Sequence, residues 1–111
     1  MTAGRTYRDM IMTTSTFKIT VPEQFLIATR PHGVEARAAV VNALARYENI
    51  ELDFAWKDPS PSFADECIGV LCKDIGWESF RQRVRLSNIS EMSRSLFKHV
   101  ISRRRAEAGL A

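Results

Sequence analysis

Cysteine and histidine are scarce, two of each in 111 residues, and no apolar run approaches the roughly 20 residues a membrane-spanning helix needs. The N-terminus also lacks the charged head, apolar middle and small-residue cleavage site of a secretory signal, so cytoplasmic residence is expected. Cys67 and Cys72 lie five positions apart in a segment with helical periodicity, which points their side chains about 140° away from each other. That geometry disfavours a disulfide or a shared metal, and no second Cys pair or His cluster completes a ligand set. No cofactor is expected. Cys67 reads as core and Cys72 as exposed.

Catalytic signatures are missing too. There is no GxGxxG, no GxxxxGK(S/T), no HExxH, no nucleophile elbow and no CxxC. Basic residues do outnumber acidic ones, 16 to 13, but unevenly along the chain. Glu78 to Arg105 holds eight basic residues against two acidic ones, and the remainder is net acidic. A basic last helix suits the helix dipole. It is also the composition of a nucleic-acid surface, here Arg94, Lys98 and Arg103 to Arg105, although no nucleic-acid-binding motif accompanies it.

What is present reads as one small domain. With 45% apolar and 26% charged residues the chain has an ordinary globular composition. Residues 1–15 show no sustained periodicity and are expected to be a disordered leader, with Met12 an alternative start to Met1; residues 16–105 form the domain and 106–111 a tail. Phe17–Val21 alternates as a strand halted by Pro22, and Phe25–Ala28 is a second short apolar run, together a plausible hairpin. Thr29–Gly33 then breaks the chain. Val34, Ala38, Val41, Leu44 and Ala45 fall on one helical face, and Ile50–Phe54 alternates as the clearest strand.

After Asp58-Pro59-Ser60-Pro61, the apolar positions Phe63, Ala64, Cys67, Ile68, Leu71 and Ile75 predict an amphipathic helix ending near Gly76. Trp77–Gln82 suits a short extra turn, Val84–Ser87 a strand, and Asn88 or Ser90 caps a last helix with Met92, Leu96, Val100 and Ile101. The order is ββαβαβα. This is an α/β fold with a roughly four-stranded mixed sheet, and the alternating strands place the helices on one face only.

Candidate chemistry gathers around the Asp58–Glu66 segment. Asp53, Asp58, Asp65 and Glu66 form an acidic group near the carboxyl edge of the predicted sheet, where α/β proteins place ligands, and a small enzyme would use Asp53 and Asp58 with His32 and Arg30. Asp65 and Glu66 are equally explained as first-turn acids. Ser60 suits an N-cap with Pro61 at the first helical position, and Ser62 with Asp65 a weaker capping box. A phosphate on a serine at such a helix start would also meet free amides and the positive dipole end.

In element order and local residues the chain resembles the STAS-like family, relatives of the bacterial anti-sigma factor antagonists. The likeness is carried by Thr29-Arg30-Pro31-His32-Gly33 with Arg37, Ile50-Glu51-Leu52-Asp53-Phe54, Ser62-Phe63-Ala64-Asp65-Glu66 and Val84-Arg85-Leu86-Ser87-Asn88. The resemblance implies a four-stranded sheet with helices on one side. It further implies a non-enzymatic regulatory role, a partner of the histidine-kinase-like ATPase or anti-sigma kinase type, and phosphorylation of a serine at the start of the second helix. That serine is Ser62 here, with Ser60 the lesser candidate, and the contact surface comprises Asp58, Ser60, Ser62, Phe63, Asp65, Glu66, Arg30 and His32. Oligomeric state is left open.

Overall fold

A computed structural model of the chain describes residues 15–109. The expected leader lies almost wholly outside the described residues. Strand β1 spans Thr16–Thr20 and passes into a single helical turn, α1, Val21–Gln24, with Pro22 in its first turn, where the missing amide hydrogen is not needed. The expected hairpin is therefore absent: Phe25–Ala28 is a connecting loop, with Leu26 and Ala28 exposed.

Helix α2, Arg30–Leu44, begins four residues earlier than its apolar periodicity suggests, because Thr29 caps it by accepting the His32 N–H and Pro31 fits its first turn. The buried face is also different. Gly33, Ala36, Val40, Ala43 and Leu44 point inward, while Val34, Ala38, Val41 and Ala45 are exposed.

Strand β2, Asn49–Asp53, leads to helix α3, which runs Pro61–Ala64, Asp65–Gly69 and Val70–Ile75 without interruption. The middle five residues are wound one residue wider, the Val70 N–H bonding to Asp65 O five positions back. Such wide turns often mark functional positions. Helix α4, Trp77–Arg83, strand β3, Val84–Ser87, and helix α5, Glu91–Glu107, complete the chain, α5 being capped by the Ser90 hydroxyl. The tail expected at 106 thus begins as the last turn of α5.

Among the described residues three strands form one sheet in the order β1-β2-β3, all parallel, in place of the expected mixed four-stranded sheet. Both connections run through helices, which carry the chain back to the same end of the sheet as parallel pairing requires. Ile19, Leu52 and Leu86 stand in register and belong to the apolar core or pack against it, while Lys18, Glu51 and Arg85 line up on the other face.

Helix α3 is the centre of the core. Phe63, Ala64, Cys67, Ile68 and Leu71 are all fully buried, and each large apolar side chain so placed contributes about 1.5–3 kcal/mol relative to exposure. Its neighbours approach closely at two glycines. A Cβ on Gly33 of α2 would lie 2.9 Å from Glu66 Cβ, and one on Gly69 would lie 2.8 Å from Asp65 Oδ1 and 3.1 Å from Val100 O on α5. Cys72, expected outside, is buried as well, so both free cysteines are core residues. Burial pushes the Cys67 thiol up to about 12 and raises that of Cys72.

Arg83 locks the far end of the layer. Its guanidinium donates to the carbonyls of Leu44, Tyr47 and Glu48 at 2.7, 2.8 and 2.8 Å, satisfying the C-terminal end of α2. No helix among the described residues is long and apolar enough to cross a membrane.

Candidate functional site: the carboxyl edge of the sheet

In a parallel sheet whose crossovers are helices, strand ends and helix starts collect at one edge. Here Thr20, Asp53 and Ser87 end the strands, and α2, α3 and α5 begin beyond them. The connecting segments are laced together. Asp53 accepts from the Ala55 N–H at 2.8 Å and from Asn88 Nδ2 at 3.0 Å, with Lys18 Nζ at 3.3 Å. The two hydrogen bonds, aided by Lys18, hold its carboxyl below the usual range although burial opposes them. Asp58 Oδ1 accepts from the hydroxyls of Ser90 at 2.5 Å and Ser93 at 2.6 Å, which lower its pKa and tie the turn to the start of α5. The Ser60 N–H donates to Ile27 O at 2.8 Å, and the Trp56 N–H to Asn88 O at 2.8 Å.

The same segments carry strained backbone. Ala55, Trp56 and Asn88 adopt positive φ of 52°, 63° and 51°, a region costly for Ala and Trp and easier for Asn. Three large apolar side chains there stand in water: Leu26, Trp56 and Met92 are 67%, 66% and 69% exposed, one on each laced segment. Periodicity does not find them. The available signal is a tryptophan in the turn Ala55-Trp56-Lys57-Asp58, where neither helix nor strand spacing could bury it.

Ser60 is the N-cap of α3, accepting the Phe63 N–H at 3.1 Å, and Pro61 is the first helical residue. Ser62 is half-buried, and among the described residues its hydroxyl makes no hydrogen bond. The capping role is thus filled by Ser60 and not by a Ser62–Asp65 box.

Asp65 and Glu66 are ion-paired within the fold. Asp65 is buried and takes a two-pronged bond from Arg104, Nε to Oδ1 at 3.0 Å and an NH2 nitrogen to Oδ2 at 2.6 Å, with Arg30 at 3.2 Å and Arg103 at 3.5 Å. Glu66 turns the other way, to Arg30 at 2.7 Å and Arg37 at 2.9 Å. The Arg104 bond leads in holding the Asp65 carboxyl down; for Glu66, burial pushes upward and is outweighed by Arg30 and Arg37. The two adjacent carboxylates of α3 thus reach α5 through Arg104 and α2 through Arg30 and Arg37, fastening three helices together. Phe63, expected as a contact residue, is fully buried beneath them.

Asp53, Asp58, His32 and Arg30 are not hydrogen-bonded to one another. Asp53 bonds to Asn88, Asp58 to Ser90 and Ser93, Arg30 to Asp65 and Glu66, and His32 Nδ1 lies 2.6 Å from Thr29 Oγ1. Among the described residues no His, Cys, Asp or Glu group could hold a metal ion. The basic stretch of α5 is divided as well: Arg104 is consumed by Asp65, Arg105 stacks 4.3 Å over the Trp77 ring, and Arg94, Lys98 and the outer part of Arg103 stay exposed.

A family model described as a STAS-like domain of unknown function (DUF4325) matches residues 32–94, from the first turn of α2 to the first turn of α5. Neither a curated relative nor a solved structure matches the chain. The matched region takes in most of α2 and all of β2, α3, α4 and β3, more than half of the sequence, and the chain belongs to this STAS-like family.

Proposed function

We propose that this chain is a non-enzymatic regulatory module that binds a protein partner through the carboxyl edge of its sheet. The observation carrying the proposal is the exposure of Leu26, Trp56 and Met92 on three segments that hydrogen bonds hold together around the start of α3. Exposed aromatic and methionine side chains on a fixed frame are the anchors from which protein interfaces draw most of their affinity. The carboxylates nearby are already committed to structural bonds, which favours binding over catalysis.

The resemblance to anti-sigma factor antagonists supplies the partner class, a histidine-kinase-like ATPase, and the control point, Ser62. A phosphate there would add roughly two negative charges at the second residue of α3, one helical turn from Asp65 and Glu66. It would compete with them for Arg30, whose side chain is 46% exposed. Arg30 is thereby the residue through which modification at Ser62 would be felt by the helix clasp.

The test is calorimetric titration of the chain with the ATPase domain encoded nearest to it. Trp56→Ala should weaken binding at least tenfold, as loss of about 2 kcal/mol at an anchor requires. Ser62→Asp should weaken it and Ser62→Ala should not. Binding unaffected by Trp56→Ala would refute the surface; equal affinities for Ser62→Asp and Ser62→Ala would refute the control point alone.

A further inference from the structure

The outer face of α2 carries apolar side chains with no cover. Val34, Ala38, Val41 and Ala45 recur at steps of four, three and four residues, all exposed, the valines by 41% and 44%. The core-facing residues of the helix lie on its other side. A narrow stripe at four-three spacing is the seam by which one helix packs along another, distinct from the broader face used against a globular core. Beside it, between α2 and the edge strand β1, runs a groove of about 270 Å³ lined by Phe17, Ala39, Asn42, Ala43, Arg46 and Tyr47.

The charges at the two ends of the stripe select its occupant. Glu35 and Arg46 are both exposed; Glu35 stands one and two turns before Ala39 and Asn42 on α2, and Arg46, two residues past the helix end, lines the groove with those two, so the charges lie on one flank. Among the described residues neither has an ion-pair partner, and Arg46 lies 5.8 Å from the centre of the Tyr47 ring. On the other flank, Arg30 and Arg37 are committed to Glu66. A two-fold axis perpendicular to two antiparallel helices brings a flank against the same flank with the ends exchanged. Glu35 of one copy then meets Arg46 of the other, twice. Val34 faces Ala45 and Val41 faces Ala38, large against small.

We infer that α2 is a self-association surface, pairing antiparallel with α2 of a second copy of this chain about a two-fold axis. A single helix of 15 residues, about 22 Å long, makes an interface below the standard size, so the dimer is weak, with a dissociation constant on the order of 100 µM.

Sedimentation equilibrium of the full chain from about 10 µM to about 1 mM brackets that affinity and should show a monomer–dimer equilibrium. Val41→Glu should raise the dissociation constant at least tenfold, with the circular dichroism spectrum and melting temperature unchanged because the site is exposed. Glu35→Arg alone and Arg46→Glu alone should each weaken the dimer, and the double variant should restore it. A chain that stays monomeric throughout, a dimer indifferent to Val41→Glu, or a double variant no tighter than the single ones would overturn the inference.

Discussion

Replacing Asp65 by Asn keeps the size of the side chain and removes the charge on which three arginines, Arg30, Arg103 and Arg104, converge. The Asp65 side chain is 3% exposed and its chief partner, Arg104, 19%, so the lost pair is a buried one. Breaking such a pair from one side costs about 3–5 kcal/mol, because a desolvated charge is left behind. Two features pull the figure to the lower end. Arg30 and Arg103 are about half exposed and return to water at little cost, and Arg104 keeps Glu107 at 3.0 Å. The expected loss is about 3 kcal/mol, a large share of the roughly 5–15 kcal/mol that holds such a domain folded. At about 4–8 °C per kcal/mol, the melting temperature should drop by about 12–24 °C. Urea titration followed by far-ultraviolet circular dichroism measures the change, with Arg103→Ala as the exposed control expected within about 1 kcal/mol of the parent. A loss below about 0.5 kcal/mol for Asp65→Asn, the size of an ordinary surface substitution, would show that the clasp between α2, α3 and α5 does not hold the helices together.

The same carboxylates set the response to acid. Asp65 and Glu66 have pKa values lowered by folding, so their contribution is complete above the ordinary carboxylate range and is lost as pH falls through the lowered values; melting temperature should be level from about pH 5 to 8 and fall below about pH 4, less steeply in Asp65→Asn. Cys67 and Cys72, buried and with raised thiol pKa values, should resist an alkylating reagent at pH 7 in the native chain and react fully in urea; rapid native labelling, read by mass spectrometry, would contradict their placement.

Much of this architecture is legible in the sequence, and the failures share a cause. The Ile50–Asp53 alternation, the apolar spacing of α3, the Val84–Ser87 strand and the Ser90 cap all rest on local patterns that packing leaves intact. Helix α2 misleads because the helices press so closely that its inner face needs glycine and alanine: Gly33 and Ala36 are buried where Val34 and Val41 are not. Periodicity weighs side-chain size, whereas a close backbone approach selects for its absence. The Phe25–Ala28 run misleads for a different reason, since Pro22 opens a helical turn that redirects the chain toward α2 before a second strand can form. Of the candidate site, Ser60 and Pro61 sit at the helix start as capping chemistry requires. The burial of Phe63 follows from the apolar spacing of α3, whereas that of Asp65 goes with its bond to Arg104 of α5, more than thirty residues away, which no local signal announces.

The all-parallel sheet bears on how the chain reaches this structure. Thr16 pairs with Asn49 and Ile50 with Val84, so each strand contact closes a loop of more than thirty residues. Closing a loop of that length costs about 3 kcal/mol in chain entropy before a ladder hydrogen bond forms. Among the described residues no hairpin offers a cheaper first step, so the sheet must wait for α2 and α3 to bring its strands together. The domain should therefore assemble slowly for its size, in one concerted step, with the arginine clasp around α3 forming as the strands align.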